Sequence, residues 1–364
     1  MADMQNAFRG CLLGLAVGDA MGYTVDSKNL EEIRADYGPN GLLGYDLVNG
    51  YADVTSYTQL AAFSANGLLL GLTRRQLQGR MAPWIRYLAL AIREWSRSQH
   101  YCEQERNYCW LSTVPQMRRR RCMDTWMLST LSQQTLGTPA QPVNRSNHPA
   151  ALTAVLPIAL LSEQLGMTQE ERNLLSAETV ALTHGPEAFL TAAALTYMFS
   201  RIQEDCSLSV PELVQETIDS IQLQFGREHS QTTTLWELLQ LALTLSRSED
   251  ISPMDAMEQL SCRTAAEVLA GAVYACATCR DDFDTAMIIA VNHSGRSAAV
   301  GALTGAFLGT KLGFEALPDF YLESLEPTQT LLELAEDLYH GCPMGMGSNL
   351  FDDDWDRKYL HAGQ

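Results

Sequence analysis

Gly301-Ala-Leu-Thr-Gly-Ala-Phe-Leu-Gly309 is the stretch on which the fold turns. Gly301, Ala302, Gly305, Ala306 and Gly309 recur at three- and four-residue spacing, so a helix over Ala298 to Gly313 presents a face almost without side chains. Such a face lets another backbone come close, which predicts that this helix runs through the middle of a bundle. Working back along the chain, the apolar pattern extends from Thr285 to Leu312 and is interrupted by Asn292-His-Ser-Gly-Arg296. That polar patch fits a loop or N-cap that opens a second helix at Ser297. Ala265 to Cys279, Thr232 to Leu245 and Thr179 to Phe199 carry the same helical period, and long alternating runs of Val, Ile and Thr are absent. The predicted class is all-α, a compact multi-helix bundle.

The 364 residues, 46% of them hydrophobic, suffice for a large core. A formal charge of -18 repels polyanions at long range, which argues against a nucleic-acid or membrane-surface role. Arg118 to Arg121 form the one basic run, which reads as a solvated helix face or turn. No apolar run approaches the roughly 20 residues that span a bilayer. Met1 to Gly10 lacks the pattern of a secretory signal, and the nine cysteines are scattered without paired spacing. A cytoplasmic protein with reduced thiols is expected. Cys276 and Cys279 form a C-x-x-C, but no second pair or nearby His completes a zinc site.

Loops are signalled by Tyr37-Gly-Pro-Asn-Gly-Leu42, Gly137-Thr-Pro-Ala-Gln-Pro142 and the polar stretch Arg247 to Pro253. Residues 95–121 lack clean periodicity and read as an insertion covering one face. Residues 1–343 then form one domain, and 344–364, with Asp352 to Asp354 in a row, a C-terminal surface extension.

Phe8-Arg-Gly-Cys-Leu-Leu-Gly-Leu-Ala-Val-Gly-Asp-Ala-Met-Gly22 resembles the opening helix of the ADP-ribosylglycohydrolases, and further anchors follow in family order. Asp26 stands where the family places an acidic residue after that helix, and Ile33 to Asp46 is similar to its Tyr-Gly…Gly segment. Thr183-His-Gly-Pro-Glu-Ala188 resembles the family's turn into a core helix, and Ala290-Val-Asn292 with the Gly/Ala helix resembles its last motif. The resemblance spans residues 8 to about 315. It implies a helical domain that binds two magnesium or manganese ions and cleaves bonds to ADP-ribose. Two hard cations need several carboxylate and hydroxyl oxygens. The family supplies them from Thr-Asp-Asp-Thr early and Gly-Gly-Asp-Thr-Asp-Thr late in the chain.

Here both motifs have changed. Thr55-Ser-Tyr-Thr58 puts Ser56 and Tyr57 at the first two Asp positions, and Ser294-Gly-Arg-Ser-Ala-Ala299 puts Arg296 and Ala298 at the last two. Formal charge at these four positions goes from minus four to plus one, and one charge pair ~4 Å apart is worth about 4 kcal/mol at an effective dielectric of 20. No metal and no other cofactor is therefore expected, since hydroxyls alone do not compete with water for magnesium. In the middle motif Ser146 remains, while His148 and Ala150 replace glycines and Ala154 an Arg.

The residues predicted to line a ligand pocket are Thr55, Ser56, Tyr57, Ser146, His148, Ser294, Gly295, Arg296 and Ser297. Arg296, if turned into the old metal pocket, needs a partner such as Asp19, Asp26 or Asp53, or else an anionic ligand. The leading expectation is a pseudoenzyme, a binding or regulatory module for an ADP-ribose-like or other anionic small molecule or for a protein partner. The alternative is hydrolysis of an N- or O-glycosidic bond without metal, with Asp19 or Asp26 and His293 as acid and base. A third, an active metal site rebuilt from Asp53 or from Asp352 to Asp354, demands two new hard-ion shells.

Overall fold

The computed structural model describes residues 4–79, 82–100, 107–122, 124–345 and 350–362, and among them are eighteen α-helices and no strand. The first four are α1 (Met4–Tyr23), α2 (Leu30–Tyr37), α3 (Ser56–Gln78) and α4 (Trp84–Ser98). Next come α5 (Thr125–Leu131), α6 (Leu156–Leu160), α7 (Ser162–Leu165), α8 (Gln169–Ala181), α9 (Pro186–Glu204) and α10 (Val210–Phe225). Then follow α11 (Gln231–Leu245), α12 (Pro253–Leu260), α13 (Ala265–Cys279), α14 (Phe283–Val291) and α15 (Ser297–Leu312). The chain closes with α16 (Asp319–Ser324), α17 (Thr328–His340) and α18 (Asp353–Tyr359). No helix among the described residues is long and apolar enough to cross a membrane.

The Gly/Ala helix is central, as its small face predicts. Gly10, Gly14, Gly18 and Gly22 of α1 lie one turn apart and meet Gly309, Gly305, Gly301 and Ser297 of α15 in antiparallel order. A Cβ added at Gly18 would sit 1.9 Å from the carbonyl oxygen of Gly301, and one at Gly14 2.1 Å from that of Gly305. The two backbones therefore touch along four turns, and nothing larger than hydrogen fits between them. Around this pair the core is filled by Phe8, Leu12, Phe63, Trp95, Phe189 and Phe199, all almost fully buried.

Three sequence expectations change in the fold. The helix expected over Thr179 to Phe199 is two, α8 and α9, because Pro186 takes the first position of a new helix and Gly185 is its N-cap. Of the covering segment, residues 95–98 complete α4, 101–106 lie outside the described residues, and 107–122 run as short 3-10 turns across α3. Buried Glu94 pins its start by accepting from the backbone N–H groups of Tyr108 and Cys109, and Gln99 pins its end by accepting from those of Arg121 and Cys122. Within it Arg118 and Arg120 are exposed, as a solvated turn would have them, whereas Arg119 and Arg121 both pair with Asp53, and Arg119 also grips Glu326. The tail, expected on the surface, folds back as α18 and buries Trp355 and Tyr359. Trp355 Nε1 donates to Thr73 Oγ1 at 3.0 Å and Tyr359 to Asp337 at 2.6 Å. Asp352 caps α18, while Asp354 pairs with Arg357 and Lys358.

Candidate functional site

Asp19 projects from α1 into the N-terminus of α3 and is fully buried. Its Oδ2 accepts from Thr55 N (2.9 Å), Thr58 N (3.1 Å) and Thr58 Oγ1 (2.6 Å), and its Oδ1 from Thr55 Oγ1 (2.6 Å). Thr55 is itself the N-cap of α3. Burial pushes the Asp19 carboxyl up to about 6 against the pull of those four donors. Asp19 thus fastens α1 to α3. Ser56 and Tyr57, one residue on, are buried, with Ser56 against the Cys122 thiol. Burial, and then the field of Asp26, raises the Tyr57 phenol, whereas Arg296 opposes the rise, so the three side chains share one region.

The loop 292–296 is fastened on every side. Asn292 bonds the backbone of Leu42 in both directions, Ser294 Oγ accepts from Leu30 N at 2.9 Å, and Arg296 N donates to Cys262 O at 2.7 Å. Gly295 has no room for a Cβ, which would lie 2.4 Å from the oxygen of Ser261. His293 is fully buried, its Nε2 donating to Ala290 O at 3.0 Å and its Nδ1 accepting from Gly295 N at 2.9 Å. Burial holds its imidazole down to about 4, and both ring nitrogens serve the loop. Ser297 Oγ reaches back to His293 O.

Arg296 is the exception in this tied loop. Its half-buried guanidinium makes no hydrogen bond or ion pair with any other of the described residues. Of the three acids that sequence offered as partners, Asp19 is taken by Thr55 and Thr58, and Asp53 by Arg119 and Arg121. Asp26 lies within the guanidinium's field but binds Ala298 N at 2.9 Å; burial raises its carboxyl. Arg296 and Asp26 line a cleft of about 350 Å³ together with Lys28, Asn29, Arg263 and Ser294. Glu32 is on the same wall and Lys28 is already paired with Asp36 at 2.6 Å, so Arg263 and Arg296 are the cations through which the cleft can meet an anion.

Beside Arg296 lies a constellation that sequence reasoning missed. Asp124 N-caps α5 through Oδ1, which accepts from Trp126 N and Met127 N, and turns Oδ2 toward two histidines. His184 Nε2 is 3.2 Å from that oxygen and His148 Nδ1 3.6 Å, and the three atoms lie within 4.8 Å of one another. His184 Nδ1 meets Thr183 Oγ1 at 2.7 Å, and His148 Nδ1 accepts from Ala150 N at 3.1 Å. Ser146, two residues before His148, holds His184's loop through its backbone oxygen, which accepts from Gly185 N at 2.7 Å. Burial alone would raise the Asp124 carboxyl, but the His184 bond, the Met127 N–H and the fields of both histidines bring it down to about 2. Burial lowers the His148 imidazole to about 4, and Arg296 and His184 push the same way against Asp124. The signal was present locally: each member stands at a helix start, marked by Asp124-Thr, His148-Pro and His184-Gly-Pro.

A family model described as ADP-ribosylglycohydrolase matches residues 1–346. An uncharacterized protein of Archaeoglobus fulgidus is 26% identical over 349 residues, which cover 92% of this chain and 97% of that protein. A solved structure described as an ADP-ribosylglycohydrolase-related protein complex is similar in fold, with a TM-score of 0.55 and 20% identity over 93% of this chain and 99% of that one.

Proposed function

The chain belongs to the ADP-ribosylglycohydrolase family, and from that premise we propose that it is a pseudoenzyme, a binding module for an ADP-ribose-like or other anionic small molecule. Arg296 recognises the ligand's charge without magnesium or manganese. The observation that carries the reading is the unpaired guanidinium of Arg296, which lines one cleft with Arg263 and stands where the resemblance assigns a metal-binding carboxylate. A guanidinium that faces an open cleft without a bound carboxylate is held by water, which an anionic ligand can displace with charge-assisted hydrogen bonds. The protein works in the cytoplasm, where its free cysteines stay reduced, and a protein partner would present the anion as a modification.

The test is calorimetric titration with ADP-ribose in magnesium and then in EDTA. Binding of equal strength in both, lost in Arg296→Glu, is the expected outcome. Binding that requires magnesium, or release of ADP-ribose from a modified protein, overturns it. One observation favours the runner-up, a metal-free glycosidic hydrolase: Asp26 lines the cleft with its carboxyl raised, as a general acid would need. Turnover in EDTA that disappears in Asp26→Asn would establish that reading instead.

A further inference from the structure

We propose that Asp124, His148 and His184 hold one transition-metal ion, zinc by the nature of the donors, in addition to the anion cleft and through a separate set of residues. One carboxylate oxygen and two imidazole nitrogens suit zinc far better than magnesium or manganese, which prefer oxygen throughout. Two of the three donor spacings match what zinc requires, and all three atoms lie within 4.8 Å of one another. Donors about 2.0–2.1 Å from a tetrahedral ion lie roughly 3.4 Å apart, and Asp124 Oδ2 stands 3.2 Å from His184 Nε2 and 3.6 Å from His148 Nδ1.

The surroundings hold two of the three donors in aim. Asp124 Oδ1 is tied to Trp126 N and Met127 N, which aims Oδ2 at His184 Nε2; loading replaces the hydrogen bond between them and moves the imidazole proton to Nδ1, which then donates to Thr183 Oγ1. His184 is fully buried, and its far nitrogen meets Thr183 Oγ1 at 2.7 Å, the outer contact that zinc-bound histidines make. His148 is the adjustable member: loading exchanges its bond from Ala150 N for the ion. Its side chain is 24% exposed, which gives the ion a way in. Three protein donors leave the fourth position to water or to a ligand oxygen. Arg296, whose field reaches His148, opposes the ion and moderates its affinity.

The full-length protein, stripped with a chelator and dialysed, is titrated with zinc chloride and, separately, with cobalt chloride followed by visible absorption. About one equivalent of zinc and the intense visible bands of four-coordinate cobalt are expected. His148→Asn keeps a cap acceptor for Ala150 N but removes the imidazole, and should weaken zinc by about 100-fold or more; Asp124→Asn should do the same. His361→Asn, at an exposed Asp/His pair far along the chain, should leave binding unchanged. Arg296→Met should bind zinc several-fold tighter while losing the anionic ligand, so failure of the metal site and failure of the ligand cleft read out separately. Absence of the cobalt bands in the unaltered protein overturns the proposal without any variant, and so does zinc affinity unchanged in a folded His148→Asn or Asp124→Asn.

Discussion

Asp19 shows how a residue of catalytic type can be given over to architecture. Its folded carboxyl titrates at about 6, above the ordinary 3.8, so between those values the folded chain holds a proton that the unfolded chain has lost. Stability from this residue is therefore full below about pH 4 and falls as pH rises through about 6, by about 3 kcal/mol at 1.36 kcal/mol per unit. His148 and His293, held down to about 4 by burial, act in the opposite sense and lose stability as pH falls from about 6.5 to 4. The difference between parent and variant isolates Asp19. Asp19→Asn keeps an acceptor for the Thr55 and Thr58 N–H groups, and in urea titrations from pH 4 to 7 it should gain on the parent as pH rises. An unchanged difference across that range would show that Asp19 does not titrate there. The identities at 55–57 and 294–297 were legible in sequence because motif order placed them. The Asp124–His148–His184 meeting was not, since 24 and 36 residues separate its members and only packing of three helix starts joins them.

Among the elements, α1 and α15 form the contact on which the others are hung. Gly18→Ala puts a methyl 1.9 Å from the Gly301 carbonyl oxygen, and only separation of the two helices can relieve that. The expected loss is at least about 3 kcal/mol, at the upper end of overpacking costs, and a large share of the 5–15 kcal/mol that holds a domain. Gly44→Ala, where nothing lies within 4 Å of the added methyl, should stay within about 0.5 kcal/mol. Equal urea midpoints for the two variants would refute the backbone-contact account. The small face of α15 and the opening of its helix at Ser297 were legible because both are local patterns. The break between α8 and α9 was not read from period alone, because apolar residues continue through Leu182 and the stop rests on Gly185 and Pro186.

At the scale of the molecule, α18 acts as a clasp over α3 and α17. Trp355 stacks against Tyr359 with ring centroids 4.5 Å apart, and Lys358 joins Glu333 and Asp337. Trp355→Ala should cost about 3–5 kcal/mol, the usual range for emptying a buried indole site, measured as a fall in the urea midpoint. A loss below about 1 kcal/mol would mean that the tail rests on the surface after all. Sequence suggested a surface extension there because three consecutive aspartates dominate the stretch, although Trp355 and Tyr359 just after them meet the core.

The glycine contact of α1 with α15 also has a timetable. Gly18 leaves the ribosome 283 residues ahead of Gly301, its partner. At about 5–20 residues per second, the first helix waits roughly 15–60 s before its other half exists. For that interval a stripe of bare backbone and its apolar flanks must stay unclaimed by other chains, so the newborn protein depends on whatever shelters nascent chains from one another.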